Sequence, residues 1–424
     1  MKTITWPQAE IPVVAETEVL VVGGGPAGFG AALTAARMGR KTMLIEQNGA
    51  VGGVATVGIM SHWTGHQEGG VFAELREKAR DCECPEVINP EKLKALMLNM
   101  LEDAGVTVQL YTWCSDVIME GNRLCGVVTE SKSGREAILS EITIDSTGDG
   151  DVAARAGVPY DKGREDGGMQ PMTIMFKIAG VDMDRALFFW GFEDTVALPE
   201  GDLQTLCREE LPYPAGHVLL YPSSLPGVVT VNMTNAVHAD GTDVRDLNRA
   251  GRECRNQIPL IVDFLRRHVP GYESCYVCES ANAVGVRETR RFHAAYQLNE
   301  TDIASARLFD DWVVTKSRFF FDLHNVTGAG LDAAGAYKKF QQKSSYTIPR
   351  GCFLPEGTDG LLLNGRNIGG THKAHSSYRV MPICVNMGQA AGVLAALSLE
   401  QGCAPGELDM RDVQEKLRIQ NVEP

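Results

Sequence analysis

The chain has 424 residues, enough for one large core or two moderate ones. Its formal net charge is −14 and its basic residues are scattered, which argues against nucleic acid and membrane as partners, because both need a clustered positive face. A hydrophobic content of 44% is ordinary for a globular protein, and the first ten residues hold no apolar signal core, so a cytoplasmic location is expected.

The first predicted elements lie in Glu18-Val-Leu-Val-Val-Gly-Gly-Gly-Pro-Ala-Gly-Phe-Gly. Val19 to Val22 is aliphatic throughout, as a buried parallel strand requires. Gly23, Gly25 and Gly28 then fit G-x-G-x-x-G. The first glycine allows a tight turn, the second lets backbone approach a pyrophosphate, and the third lets a helix pack on the strand. Pro26 and Ala27 open that helix, where a missing N–H costs nothing and the positive dipole end faces phosphate. Gly39 suits the helix C′ position. Lys41-Thr-Met-Leu-Ile-Glu46 is a second strand, and the Glu46 carboxylate lies where it accepts both hydroxyls of a ribose. After Gln47 comes a second glycine passage, Gly52-Gly53, with Val54, Ala55 and Thr56. An extended FAD needs such a passage along its pyrophosphate and ribityl chain, whereas a nicotinamide enzyme would proceed into an ordinary helix.

Asn89-Pro90-Glu91 is a helix start, and the helix runs to about Asp103 before Gly105. Val106 to Tyr111 reads as a strand. Val117 to Glu120, Leu124 to Thr129 and Ala137 to Ile144 read as a β-meander with a return strand ending in Asp145. The pattern changes at about Gly163. Gln170 to Lys177 and Val228 to Thr234 are predicted strands, and Leu247 to His268 an amphipathic helix stopped by Pro270-Gly271. Leu361 to Leu363 is a last buried strand. Pro382 marks the start of a long helix whose Gly388, Ala390, Ala391 and Gly392 let it press onto the core. Val380 to Ser398 is uncharged but carries Pro382, Asn386 and Gln389, so it reads as buried rather than membrane-spanning.

With these residues in order, the chain resembles the FAD-dependent oxidoreductases of the glutathione-reductase-type superfamily. Four further segments carry the likeness: Ile144-Asp-Ser-Thr-Gly-Asp-Gly-Asp-Val-Ala, Gly168-Met-Gln-Pro-Met-Thr, Val284-Gly-Val-Arg-Glu-Thr-Arg-Arg, and Asn364-Gly-Arg-Asn through Pro382. One departure is Phe292-His-Ala-Ala-Tyr, where that family more often has glycine before the tyrosine. The resemblance implies an α/β fold: a glutathione-reductase-type FAD-binding Rossmann domain with a β-meander, plus an inserted α+β substrate domain. Residues 1–162 and 346–424 would form the first, and 163–345 the second. It implies FAD as cofactor, with backbone near Cys114 flanking the adenine and Thr147-Gly148 beside the nucleotide half. Gly365-Arg366 would contact the ribityl region, and Arg379, Val380 and Met381 the ring. The amino end of the last long helix would then stabilise the negative charge that reduction leaves at flavin N1.

Hydride transfer needs a group to take or give the accompanying proton. His372 and His375 precede the long helix, in what reads as a loop, and His324 lies in Phe321-Asp-Leu-His-Asn. Each is either an acid/base or a hydrogen-bonded structural histidine; His372 leads on position, and His62 and His66 rank lower. Arg287, Arg290 and Arg291 form a basic cluster, from which Arg290 is taken as the substrate clamp. The alternative is pairing with Glu288, Asp302 or FAD phosphates. Eleven cysteines without an export signal are expected to be reduced. Cys275-Tyr-Val-Cys278 lacks a second pair for zinc and lies in a predicted strand, and Cys82-Glu-Cys84 is weaker still. No metal is expected.

The expected function is hydride exchange between a small-molecule substrate carbon and flavin N5, with an undefined electron donor or acceptor and a homodimer as the default assembly. Two alternatives stand beside it: a fumarate-reductase-like reductase of activated C=C bonds, and a structural or electron-transfer FAD subunit.

Overall fold

The computed structural model describes Ile4 and residues 10–81, 86–332 and 342–424. Its first elements are β1 (Val13–Val22), α1 (Pro26–Arg37) and β2 (Thr42–Ile45). Two helices follow, α2 (Gly70–Lys78) and α3 (Pro90–Asp103), the latter capped by the Asn89 side chain. Then come β3 (Thr107–Gln109), β4 (Trp113–Glu120), β5 (Arg123–Ser131), β6 (Gly134–Asp145) and α4 (Asp151–Arg155). The middle of the chain forms β7 (Tyr160–Lys162), β8 (Phe176–Ala179), β9 (Ala197–Leu198), β10 (Gly201–Asp202), α5 (Leu203–Glu210), β11 (Leu220–Pro222), β12 (Val229–Val231), α6 (Val244–His268) and β13 (Tyr276–Ser280). Last are β14 (Arg290–Phe292), α7 (Glu300–Ala304), β15 (Trp312–Ser317), β16 (Tyr346–Pro349), β17 (Leu361–Leu363), α8 (His372–Tyr378), α9 (Met381–Gln401) and α10 (Met410–Ile419).

The main sheet runs β3-β2-β1-β6-β5-β4, with β17 also on β6. β1 pairs in parallel with β2 and with β6, and β2 with β3. The far edge of β6 is shared: Gly134–Leu139 pairs antiparallel with β5, and Thr143–Asp145 pairs in parallel with β17. Parallel nucleotide-binding strands and an antiparallel meander thus meet on one long strand. This is the glutathione-reductase-type α/β arrangement.

Two apolar cores result. The first gathers residues from Val19 to Val158 and again from Phe292 to Val422. The second spans Met172 to Ala281 and includes Ile59. Its antiparallel sheet, β11-β12-β8-β13, belongs with α6, which buries Cys254, Ile258, Ile261 and Leu265. Within the expected insert of 163–345, Phe292, Trp312 and Phe321 therefore pack with the first core.

Helices α1 and α9 touch at their backbones. A Cβ on Gly388 would stand 2.0 Å from the Ala27 carbonyl oxygen, and one on Gly30 would stand 2.1 Å from that of Val385. α9 is long and apolar enough to cross a membrane, and its residues Met381 to Ser398 are buried in the protein.

Several elements differ from expectation. The strand predicted at Gln170–Lys177 starts only at Phe176; Met172 and Thr173 make single bridges to Ala236 and Gly285. Pro171 has no N–H for a ladder, and Gln170 is drawn into the site below. Of Val228–Thr234 only Val229–Val231 is strand. β3 is shorter than Val106–Tyr111, because Tyr111 turns the chain at φ 55°. The loop predicted around His372 and His375 is helix α8, whose N-cap Thr371 side chain accepts from the Ala374 N–H.

Candidate active site

At the nucleotide end, each glycine of the turn answers a different neighbour. A Cβ on Gly23, at φ 100°, would lie 2.4 Å from the Ser146 carbonyl oxygen, and one on Gly28 would lie 1.8 Å from that of Gly23. Gly25 differs: its Cβ would meet nothing within 4 Å among the described residues. It is the N-cap of α1 and supplies no side-chain cap, so free N–H groups of the first turn face open space. A Cβ on Gly53 would stand 3.0 Å from Gly25 Cα, which brings the second glycine passage against the first. Beside it Val54 is partly exposed, Ala55 is buried, and Thr56 Oγ1 donates to the Val51 carbonyl at 2.6 Å. The Glu46 carboxylate accepts from Gly24 N–H at 2.7 Å and from the Asn48 backbone and side chain at 2.8 and 2.6 Å. These bonds fix it beside the turn; Gln47 points to solvent.

Residues far apart in sequence join this cradle. A Cβ on Gly365 would be 2.8 Å from that of Ala27, and one on Gly148 would be 2.7 Å from Arg366 Nη2. Thr147 donates through N–H and Oγ1 to Asp145 Oδ1. Burial pushes the Asp145 carboxyl up to about 6 and, with Asp145 beside it, the Cys114 thiol to about 12. Arg366 pairs with Asp149 at 2.9 Å through one terminal nitrogen, while Nη1 is buried without a partner among the described residues. Open space over Gly25 and an unpaired guanidinium N–H fit an elongated phosphate-bearing cofactor.

The residues expected at the ring lie between the two cores. Arg379 closes α8, and Val380 is the N-cap of α9 without any side-chain cap, followed by buried Met381. Arg379 Nη2 donates to Asp322 Oδ2 at 2.9 Å and to Gln170 Oε1 at 3.5 Å. Asp322 is 3.5 Å from His324 Nε2. Its carboxyl is held far below the ordinary range: burial raises it, but His324, Arg379 and Arg287 together outweigh that. Burial, then Arg287, lowers His324 to about 4, so it is neutral at pH 7. Arg287 is buried and donates to the Pro171 carbonyl at 2.5 Å.

His372 begins α8, and its Nδ1 is 2.6 Å from Glu288 Oε1. Glu288 has a fully buried side chain and also accepts from Arg291 at 2.8 Å. A cleft of about 750 Å³ opens here, lined by His372, Arg291, Thr371 and Lys373 among others. His375 is buried on the inner side of α8, and burial, then Arg379, drives it well below its usual value. His62 is buried against Tyr221 and Trp190, and burial lowers it to about 4; His66 is exposed and paired with Glu68.

Arg290 does not join this group as a free clamp. Its Nη1 donates to the Asp149 carbonyl at 2.9 Å and to Asp151 at 3.0 Å, and its guanidinium lies over Tyr160. Its place in β14, paired with β7, turns it toward α4, while neighbouring Arg291 turns to Glu288. Sequence reasoning missed Gln170 and Asp322. The signal for Asp322 was an acid two residues from His324 inside an aromatic run. Gln170 lay in the Gly168-Met-Gln-Pro-Met-Thr segment that carries the family likeness, but nothing there marked it as a site residue. Cys275 is buried, Cys278 is exposed, and burial raises both thiols; Cys82 and Cys84 lie outside the described residues. Among the described residues no group of three His, Cys, Asp or Glu is arranged for a metal.

A profile described as FAD dependent oxidoreductase matches residues 18–417. The chain belongs to that family. It is therefore an FAD-dependent enzyme. The digeranylgeranylglycerophospholipid reductase of Methanocella arvoryzae is 30% identical over 28% of this chain and 36% of its own length. Digeranylgeranylglycerophospholipid reductase 1 of Methanococcoides burtonii is 23% identical over 60% of each. The matches thus span less than two thirds of those relatives. A flavin-dependent brominase structure aligns with TM-score 0.51 and 13% identity, over 95% of this chain and 83% of its own, which is a likeness of fold.

Proposed function

We propose that this oxidoreductase exchanges a hydride between a carbon of a small-molecule substrate and flavin N5, with His372 moving the accompanying proton. FAD, when bound, supplies the redox centre. The observation that carries the reading is the Glu288–His372 contact of 2.6 Å at a cleft of about 750 Å³ beside the start of α8. An ionised carboxylate only accepts, so Nδ1 carries the proton toward Glu288 and Nε2 is left with a lone pair. No other described residue bonds that Nε2. It takes a proton when substrate is oxidised, and the charged ring returns one when substrate is reduced. Arg291 donates to the same carboxylate oxygen, Oε1, and holds Glu288 in place. His324, neutral and fixed beside Asp322, orients the substrate rather than exchanging its proton.

The test is anaerobic. The holoenzyme is mixed with alcohols, sugars, amino acids and, after reduction, unsaturated acids, while flavin absorbance is followed. Bleaching or reoxidation that slows in His372→Asn supports the reading. A flavin that dithionite reduces but every organic substrate leaves unchanged overturns it.

A further inference from the structure

Between the two cores, three guanidiniums (Arg287, Arg291 and Arg379) face two carboxylates, Glu288 and Asp322, and both acids are already paired. One positive charge is left over. All five groups are largely buried, and His324 beside them is neutral at pH 7. An unmatched buried cation is costly unless an anion joins it.

The hydrogen bonds point the same way. Gln170 is 1% exposed, and its Oε1 accepts from the His324 backbone N–H at 3.3 Å and from Arg379 at 3.5 Å. Both are obligate donors, so the amide orientation is fixed and Nε2 must be the N–H₂ group. Among the described residues that Nε2 is buried without a partner, and so is Nε of Arg379. Two residues in contact thus each present an unused planar N–H donor beside the surplus charge. Phe192 stands edge-on to His324 at 5.1 Å and to His217 at 5.0 Å, an apolar ring beside the charged group.

We propose that Arg287, Arg379 and Gln170 form a carboxylate-binding site, and that the substrate whose carbon meets the flavin is a carboxylic acid anion. This rests on the hydride-exchange reading above and narrows it. A single surplus charge matches a monoanionic group better than a phosphate dianion. Planar amide and guanidinium donors match the two coplanar oxygens of a carboxylate. The two cores contribute jointly: Arg287 follows the Gly285 bridge to Thr173, and Arg379 closes α8.

The test titrates the FAD holoenzyme with acetate, benzoate and succinate, and with acetamide and benzamide as neutral matches, following the flavin difference spectrum and binding heat. At least one carboxylate is expected to bind saturably while its amide does not. Gln170→Leu should weaken that carboxylate about tenfold, the loss of one hydrogen bond to a charged group. Arg379→Lys, which keeps the charge but removes Nε, should weaken it too if Gln170→Leu does not fold. Carboxylates that fail to bind, or bind no better than amides, overturn the proposal. So does a Gln170→Leu protein with unchanged carboxylate affinity and a shifted flavin midpoint potential, because the donors would then face the flavin. Hydride exchange only with substrates lacking a carboxylate removes this proposal and spares the wider reading. Carboxylate binding without hydride exchange from any substrate does the reverse.

Discussion

Gly25→Ala separates folding from cofactor binding, because the added methyl group meets no atom of the described residues within 4 Å. Gly25 has φ −66° and ψ −176°, an extended conformation that alanine adopts without strain. The apoprotein should therefore be unchanged or more stable by about 0.4–1 kcal/mol, through the lower entropy of the unfolded chain. The space that the methyl fills is the space a pyrophosphate needs at the amino end of α1. Displacing the phosphate by a carbon's width breaks at least one N–H bond to a charged oxygen, about 1.5–3 kcal/mol, or about 10–150-fold in FAD affinity. Gly28→Ala is the contrast: its Cβ would stand 1.8 Å from the Gly23 carbonyl oxygen and 3.1 Å from Ser146 Cβ. That overpacking should cost the apoprotein at least the upper part of about 1–3 kcal/mol. Thermal melts of both apoproteins and fluorescence titration with FAD give the answer. Gly25→Ala protein that binds FAD like wild type, or melts as low as Gly28→Ala, would refute the reasoning.

His372→Asn should retain FAD and slow flavin reduction about 10²–10⁴-fold, read by anaerobic stopped flow; an unchanged rate removes His372 as the proton carrier. Glu288→Gln strands the buried Arg291 guanidinium and should cost about 3–5 kcal/mol in urea unfolding, whereas a negligible change would mean the pair is not buried as described. His62 and His324 sit at about 4 in the folded protein through burial, against roughly 6.5 unfolded. Their folded values are depressed, so the unfolded chain binds more protons. Stability is full above pH 6.5 and is lost as pH falls toward 4, by up to about 3 kcal/mol per histidine. His62→Phe should flatten that slope, and a slope indifferent to the substitution would point to the carboxylates instead.

What was legible in the sequence was local. The βαβ unit could be read because its glycines, helix start and terminal acid fall within one short stretch, although the Ser146 carbonyl that crowds Gly23 comes from far along the chain. α3 announced itself through Asn89-Pro90, and α9 through Pro382 and its small residues. α8 was hidden because Gly369-Gly370 read as loop, while the Thr371 cap that starts the helix was passed over. The charged junction was out of reach for a different reason. Gln170 meets Arg379 across 209 positions of sequence, and Asp322 meets Arg379 across 57. Nothing periodic links such residues; only the apposition of two cores does. Arg290 and Arg291 show the limit most plainly. Adjacent in a short strand, they point to opposite sides, and the strand's period of two decides which one reaches the site.

In the proposed function, α8 carries the proton-transferring group although it is only seven residues long. A helix that short holds no side chain rigidly on its own. Glu288 provides the missing constraint. Its carboxylate is gripped by Arg291, lies 3.4 Å from the Gln170 N–H, and has no exposed surface, so the histidine ring is oriented from outside its own helix. Gln170 in turn ties this carboxylate to the Arg379–Asp322 pair. In the proposed reading, proton transfer and anion binding share one buried residue, through its backbone N–H on one side and its side-chain amide on the other. The orientation of His372 and the charge that meets substrate are set together, at the seam where the second core closes on the first.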